Sequence, residues 1–154
     1  MAQPCNEALV VRKADLSDLD DIVPLFDSYR LFYGQQTDLQ SCRSFIEARL
    51  KENDSIILIA LAGDRAVGFG QLYPSYSSVA MRRVWILNDL FVLPDARKNG
   101  VAKRLLNHAE RIAKESCAIR LTLATAANNT KARTLYESSG WEQEVVFVHY
   151  KRIL

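Results

Sequence analysis

The fold is decided by residues 84–114, which read VWILNDLFVLPDARKNGVAKRLLNHAERIAK. The first ten of these residues are apolar except for Asn88 and Asp89, so the side chains that would point to either face of a strand are apolar. This pattern is typical of a central strand covered on both faces. A Pro-Asp pair ends that strand. From Val101 onward, apolar residues recur at helical spacing with charged residues opposite them. The stretch therefore predicts a buried strand, a turn and an amphipathic helix.

The other elements are assigned outward from this stretch by their hydrophobic spacing. In chain order they are a strand at 9–11, helices at 19–32 and 41–51, strands at 55–62, 66–74 and 83–93, a helix at 101–114, a strand at 119–123, a helix at 129–138 and a strand at 145–150. This order predicts an α/β fold with a mixed central sheet of about six to seven strands and about four helices on its two faces.

Length and composition limit the class of protein. With 154 residues, the chain is expected to form a single domain over residues 1–154. Acids and bases are interspersed and the formal net charge is +2, so no nucleic-acid partner is expected. Three cysteines without a CxxC pair suit a reducing compartment better than a disulfide framework or a zinc site. We therefore expect no bound metal. Since no apolar run approaches the ~18 residues of a membrane span, we also expect a cytoplasmic protein without a membrane partner.

The turn that enters the amphipathic helix reads Arg97-Lys98-Asn99-Gly100-Val101-Ala102 and is followed by Lys103 and Arg104. A helix N-terminus presents backbone N–H groups without internal partners, together with a partial positive charge, so it is suited to an anion. Gly100 allows a positive φ and lets the backbone approach phosphate oxygens closely. We expect this turn to bind a pyrophosphate. The alternative is a tight turn whose basic side chains are merely solvated.

Two polar residues, Asn88 and Asp89, interrupt the buried strand. Burying an amide or a carboxylate without partners costs several kcal/mol. These residues are therefore expected either to bond a neighbouring loop or to face a cleft. Their spacing leaves both alternatives open.

The late helix offers two further candidates. Asn129 is suited to an N-cap, and Tyr136 lies on the apolar face. Capping and core packing are sufficient explanations for them. Periodicity alone assigns neither residue a function.

Two motifs, one in the turn and one in the late helix, share their pattern with a known family. The first motif is Arg or Gln, two residues, Gly, one residue, then Gly or Ala, and it is matched by Arg97, Gly100 and Ala102. The second is Asn-x-x-Ala-x-x-Leu-Tyr followed by Gly and an aromatic residue, and it is matched by Asn129, Ala132, Leu135, Tyr136, Gly140 and Trp141. Together they resemble the GNAT superfamily of N-acetyltransferases, and the resemblance covers roughly residues 8–151.

The resemblance implies an acetyl-CoA-dependent N-acetyltransferase with a GNAT fold. The backbone of Leu90, Phe91 and Val92 would pair with the pantetheine amides. The pyrophosphate would lie against Arg97, Lys98, Asn99, Gly100, Val101, Ala102 and Lys103. Asn129 would contact the cofactor near its thiol end, and Tyr136 would be the general acid that protonates the departing thiolate.

The same chemistry needs a neutral amine, because an aliphatic amine is mostly protonated at pH 7. Asp89 is the leading candidate for the base, directly or through water, and Asn88 for holding the water or the amine. Backbone N–H groups of the central strand, near Leu90, would stabilise the oxyanion.

Among subfamilies, the chain most resembles the polyamine and diamine acetyltransferases and the related small histone acetyltransferases. The diamine enzymes carry an acidic pair where this chain has Asn88-Asp89, so one carboxylate of the supposed cation site is missing. Tyr33, Tyr73 and Tyr76, together with Asp89, are candidates for an acceptor pocket suited to an aliphatic cation. Ordinary packing is the alternative for each tyrosine.

These features lead to a hypothesis and two alternatives. The chain would acetylate a primary amine of a small molecule, such as a polyamine, a diamine or an amino-acid-like amine. The alternatives are a lysine or N-terminal protein acetyltransferase and a non-catalytic acyl-CoA-binding module. The apolar end of the chain, residues 145–148, offers a surface for pairing across a homodimer.

Overall fold

The computed structural model describes residues 8–154, so Cys5 lies outside the described residues. Two compact units divide the chain, one ending at Leu123 and the other running from Ala124 to Leu154. Within the described part, the first unit holds a sheet with three α-helices, and the second holds one α-helix. None of these helices is long and apolar enough to cross a membrane.

The described residues of the first unit form one mixed sheet of five strands, in the order β1 (Leu9–Lys13), β2 (Ile56–Ala62), β3 (Arg65–Ser77), β4 (Arg82–Val92) and β5 (Leu121–Thr122). Neighbours from β1 to β4 are antiparallel, and β5 is parallel to β4. A parallel pair needs a long crossover, which here contains a helix. The predicted α/β class with a mixed sheet is confirmed, with fewer strands than expected.

The strand predicted at residues 145–150 is wrong, because the segment takes neither helix nor strand. Its residues 145–148 are 70–81% exposed. A strand needs a neighbour for its backbone N–H and C=O groups, so β-forming residues without a partner do not make one. The segment contains residues that favour a strand, but its composition does not show whether a neighbouring strand is available for pairing.

β3 continues through Pro74 to Ser77, where a loop was expected. Pro74 lies opposite Trp85, whose N–H is directed to the other neighbour and bonds the carbonyl of Arg120 at 3.1 Å. The pair between Pro74 and Trp85 is therefore one of those that exchange no ladder hydrogen bond. Since β2 ends its pairing at Leu72, the missing N–H of the proline is needed on neither side.

The four α-helices are α1 (Leu19–Phe32), α2 (Leu39–Glu52), α3 (Val101–Glu115) and α4 (Thr130–Ser138), as many as predicted for the described chain. The connection between α1 and α2 is held by the buried carboxylate of Asp27. It accepts the hydroxyl of Thr37 at 2.7 Å and the N–H of Asp38 at 2.9 Å. Asp38 in turn caps α2 by accepting the N–H of Ser41 at 3.0 Å. The end of α1 near Tyr33 is thus fixed to the start of α2.

The helices of the first unit cover both faces of the sheet. On one face, Phe26 of α1 packs edge-on against Phe69 of β3. The residue before Phe69 on β3 points the other way, since a Cβ added at Gly68 would lie 3.3 Å from the side chain of Val101 in α3. We refer to these as the α1 face and the α3 face. The face on which a strand residue lies decides which helix it meets.

Candidate functional site

A β-bulge in β4 determines where its polar residues point. Leu87 pairs with Leu72 and Asp89 pairs with Gln71, so Asn88 is the extra residue of the bulged strand. A Cβ added at Gly70 would lie 3.7 Å from the side chain of Leu87 and 3.8 Å from that of Leu90, which places both leucines on the α3 face. The bulge thereby reverses the alternation, and Asp89 is turned to the α1 face.

Asp89 is the buried carboxylate of this site. Its side chain is 6% exposed, and its Oδ1 accepts the Nδ2–H of Asn88 at 3.1 Å. Burial raises the pKa of Asp89 above its ordinary value, while hydrogen bonds from Tyr29 and Asn88 act in the opposite direction. A carboxyl with a raised pKa accepts a proton more readily than an exposed one, which is the property required of a base.

Of the three predicted pocket tyrosines, Tyr73 lies near Asp89, and Tyr33 packs on Tyr29, which hydrogen-bonds Asp89. Tyr73 is on the same face of β3 as Gln71, and burial together with the charge of Asp89 raises its pKa. Tyr33 stands at the end of α1, half exposed, with its ring edge-on to that of Tyr29 at 5.0 Å. Aromatic rings therefore lead from the surface at Tyr33 to the carboxylate.

Tyr76, the third predicted pocket tyrosine, lies apart from the other two. It is three residues beyond Tyr73 on β3 and so lies on the α3 face. Its hydroxyl accepts a hydrogen bond from Arg83 at 2.6 Å, and the same guanidinium lies 4.8 Å from its ring. The sheet separates Tyr76 from Asp89, because β-strand side chains three residues apart cannot share a face.

The outer edge of β4, the edge directed away from β3, has a free stretch. Leu93 N–H bonds the carbonyl of Val67 on β3 at 2.9 Å, so by alternation the main-chain groups of Leu90 and Val92 point outward. The side chain of Arg97 confirms this direction, because its Nε–H bonds the carbonyl of Val92 at 3.0 Å. Within the described residues of the first unit, β5 pairs with β4 at Trp85 and Ile86 only. The outward N–H and C=O groups of Leu90 therefore stand beyond the end of β5.

The turn before α3 presents a run of unbonded amides. Lys98 and Gly100 both adopt left-handed conformations, with φ of 66° and 76°. The first helical hydrogen bond joins Arg104 N–H to the carbonyl of Gly100 at 3.0 Å. The backbone N–H groups of residues 98–103 bond no described group. Successive free amides, a helix N-terminus and basic side chains together make an anion site.

Two predicted contributors to that turn already have intramolecular bonds. Arg97 is bound to Val92, as described above, and its guanidinium lies 5.9 Å from the ring of Phe91. Asn99 Nδ2–H bonds the carbonyl of Ala96 at 3.4 Å. Their side chains thus shape the turn, whereas those of Lys98 and Lys103 are exposed.

The second unit carries Asn129 and Tyr136 on α4. Asn129 Oδ1 caps the helix by accepting the N–H of Ala132 at 3.2 Å, the structural role that its sequence position allowed. The ring of Tyr136 packs on that of Trp141 with centroids 6.1 Å apart. Trp141 N–H also bonds the carbonyl of Tyr136 at 3.0 Å, so the Gly-aromatic ending of the motif anchors the tyrosine.

Sequence reasoning missed two residues beside Asp89. Tyr29 is one of the residues of the helix predicted at 19–32 and was given no role there, yet its hydroxyl hydrogen-bonds Asp89. Gln71 lies within the strand predicted at 66–74 and is given no role there, yet it is fully buried and lies opposite Asp89. An amide inside the apolar run from Phe69 to Leu72 was the available signal for Gln71. Nothing in the helical spacing of α1 marked Tyr29.

Comparison with known proteins gives consistent matches. The model of the acetyltransferase (GNAT) family matches residues 19–141. The chain is 50% identical over 140 residues to an uncharacterized N-acetyltransferase, YhfO, of Bacillus subtilis (strain 168), covering 91% of this chain and 94% of that protein. A crystal structure of a probable acetyltransferase is 43% identical, with a TM-score of 0.90 over 94% of this chain and 97% of the other. At 21% identity, an aminoglycoside N-acetyltransferase in complex with CoA shares the fold, with a TM-score of 0.81 over 98% of this chain and 99% of the other.

Proposed function

This chain belongs to the acetyltransferase (GNAT) family, and we propose that it transfers the acetyl group of acetyl-CoA directly to a primary amine of a small molecule. The acceptor class is a polyamine, a diamine or an amino-acid-like amine. The aminoglycoside enzyme that shares the fold acts, by its name, on a small-molecule amine, which is consistent with this class.

The observation that carries the proposal is the buried carboxylate of Asp89 among aromatic side chains. Tyr29 hydrogen-bonds it, Tyr73 lies on the same face of the sheet, and Tyr33 packs on Tyr29. A carboxylate and tyrosine rings are the groups that attract an aliphatic ammonium. We assign Asp89, Tyr73 and Tyr33 to acceptor binding, and leave Tyr76 out because it lies on the other face.

Asp89 is also assigned as the base. A protonated amine has no lone pair with which to attack, so a proton must leave its nitrogen first. Asp89 takes that proton in its ionised form, and its raised pKa makes it a better proton acceptor. Asn88 fixes one carboxyl oxygen through its amide hydrogen bond. The rate is therefore expected to fall as the pH drops through the pKa of Asp89.

The first unit contains groups that fit acetyl-CoA, which supplies the acetyl thioester. The outward main-chain groups of Leu90 and the outward N–H of Val92, on either side of Phe91, are suited to the pantetheine amides, and an N–H near Leu90 to the oxyanion. The free amides of residues 98–103 suit the pyrophosphate. Arg97 contributes by holding the turn to Val92.

Two residues of the second unit complete the proposal. Tyr136 is the proposed general acid, because a phenol can give its proton to the thiolate that leaves as the amide forms. Asn129 uses its side-chain oxygen for capping, so its Nδ2 is the group left for the cofactor. Both assignments rest on the family motif that these residues match.

The proposal extends to the organisation of the chain. We propose one N-acetyltransferase domain over residues 1–154, supported by a family match that extends across the boundary at Leu123. A cytoplasmic location is supported by the use of acetyl-CoA and by the unpaired described cysteines. A homodimer through residues 145–148 is supported by their exposed apolar side chains.

An acceptor panel tests the proposed function. The purified chain is incubated with acetyl-CoA, and the release of CoA thiol is followed with polyamines, diamines, amino acids and aminoglycosides, and in parallel with lysine-containing and free N-terminal peptides. We expect acceptor-dependent turnover with at least one small amine, at a higher kcat/KM than with any peptide. Turnover with peptides alone would make the chain a protein acetyltransferase. If no acceptor raises the release of thiol above background, the result would favour a non-catalytic acyl-CoA-binding module.

A further inference from the structure

Gln71 is a buried amide with one unused polar atom. Its side chain is 0% exposed, and its Nε2–H bonds the hydroxyl oxygen of the buried Ser55 at 2.9 Å. Its Oε1 has no hydrogen-bond partner among the described residues. A buried acceptor without a donor lowers the stability of the folded state, so such atoms are rare in native proteins and call for an explanation.

The position of Gln71 relative to Asp89 suggests that reason. The two residues are directly opposite each other in the ladder between β3 and β4, and both side chains lie on the α1 face. The alternation anchored at Leu93 makes them a hydrogen-bonded pair, in which the Cα atoms are about 5.5 Å apart. Cross-strand neighbours at this spacing have side chains within reach of each other.

The unused oxygen discriminates between the two states of Asp89. An ionised carboxylate has no hydrogen to donate and repels the negative end of the amide dipole. A protonated carboxyl has one O–H, which is the donor that Gln71 Oε1 lacks. The NH2 group of the Gln71 amide is bonded to Ser55, so the oxygen is the end of the amide that remains for Asp89.

We propose that Gln71 is a positioning residue whose side-chain oxygen accepts the O–H of the protonated Asp89 carboxyl, and so sets the pH at which Asp89 works as a base. The inference deepens the proposed function and rests on the role assigned there to Asp89.

The proton is accounted for at each step. One N–H bond of the acceptor ammonium breaks, its electron pair stays on nitrogen for the attack, and the proton forms an O–H bond on Asp89. That O–H is donated to Gln71 Oε1 while the acetyl group is transferred. After the attack the nitrogen loses a second proton to water as the amide forms, and this balances the proton that is given to the leaving thiolate. The proton on Asp89 passes to bulk water after the product leaves, and Asp89 is ionised again.

Other titratable and polar groups surround Asp89 on neighbouring elements, and none of them is altered by the substitutions at Gln71. Tyr29 of α1 and Asn88 of β4 hydrogen-bond the carboxyl, and Tyr73 of β3 responds to its charge. The ion pair between Arg49 of α2 and Asp54, with Arg49 Nε 2.8 Å from Asp54 Oδ1, acts on Tyr73 in turn.

The test measures the titration of Asp89 itself and needs no substrate. The chain is labelled with ¹³C at aspartate carboxyls, the Asp89 signal is assigned by its loss in Asp89→Asn, and its pKa is read from a pH series. Gln71→Met keeps the size of the side chain and removes the acceptor, so the pKa of Asp89 is expected to fall by about half to one unit. Gln71→Glu puts a second carboxyl opposite Asp89 and is expected to raise it.

Controls separate this effect from a general loss of structure. Gln40→Met makes the same change on the exposed surface of α2 and is expected to leave the titration unchanged. If Gln71→Met does not fold, Ser55→Ala replaces it: the amide, released from Ser55, can turn its N–H toward Asp89 and lower the pKa.

Two results would overturn the inference: an unchanged or raised pKa of Asp89 in Gln71→Met, or, where that variant does not fold, an unchanged or raised pKa in Ser55→Ala. Either would leave the proposed function standing if the acceptor panel shows turnover. If no acceptor in the panel is acetylated, the proposed function is wrong, whatever the titration of Asp89 shows.

Discussion

Replacing Asp89 with Asn lowers kcat/KM for the acceptor amine by about 10²- to 10⁴-fold, the usual contribution of a general base. The change removes the proton acceptor and keeps the shape of the side chain, while one of its two acceptor oxygens becomes an NH2 donor. The acidic limb of the pH profile of kcat/KM should vanish with it, because that limb reports the protonation of Asp89. Steady-state thiol release across a pH series measures both effects.

The same variant should be more stable than the wild type near neutral pH. The folded-state pKa of Asp89 is raised by burial above its unfolded value, so the native state loses stability as the pH rises through that raised value. An asparagine cannot ionise, and the variant keeps this stability. The two free energies of unfolding should converge in acid, below the unfolded pKa. Denaturant unfolding at several pH values measures the difference.

Asp64→Asn is the matched control, since Asp64 is exposed in the turn between β2 and β3. It should change neither the rate nor the acidic limb. An Asp89→Asn enzyme that kept wild-type turnover and its acidic limb would remove Asp89 from the reaction.

Changing Tyr136 to Phe lowers kcat by about 10²- to 10⁴-fold, because the thiolate then leaves without a proton from the enzyme. Phenylalanine keeps the ring that packs on Trp141, so the fold of the second unit should be retained. The affinity for CoA should change little, since binding of the cofactor does not depend on proton transfer. Turnover and calorimetric CoA binding, measured on the same sample, separate the two effects.

Tyr150→Phe removes a hydroxyl from a tyrosine that is 93% exposed and should be neutral. Wild-type kcat in Tyr136→Phe would show that another group, or water, protonates the thiolate.

The first unit illustrates what the sequence could predict. The run from Val84 to Leu93 and the amphipathic helix after it identified β4 and α3, because burial and helical spacing leave a periodic pattern. The same run was read as apolar at both parities because it is covered on both faces. The structure shows a second reason for this pattern, because the bulge at Asn88 reverses the alternation of side chains along β4. Asp89 could be picked out from its type, but its face could not.

Contacts between distant parts of the chain were beyond the sequence pattern. Tyr73 lies in the strand predicted at 66–74 and Tyr76 lies just after it, so the sequence pattern indicated no face for Tyr76. Only the extension of β3 past Pro74 places the two tyrosines on opposite faces. Tyr29 reaches Asp89 from another element, and the pairing of Gln71 with Asp89 depends on the ladder register. Residues 145–150 failed as a strand for a related reason, since pairing is a property of two segments.

The measurement that tests the central claim most directly is a crystal structure of the chain with CoA and a primary amine that the acceptor panel identifies. The account predicts the amine nitrogen on the α1 face of the sheet, within hydrogen-bond distance of Asp89 or one water away from it. It also predicts the pyrophosphate against the backbone N–H groups of residues 98–103. An amine bound on the α3 face near Tyr76, or a pyrophosphate away from the start of α3, would contradict it.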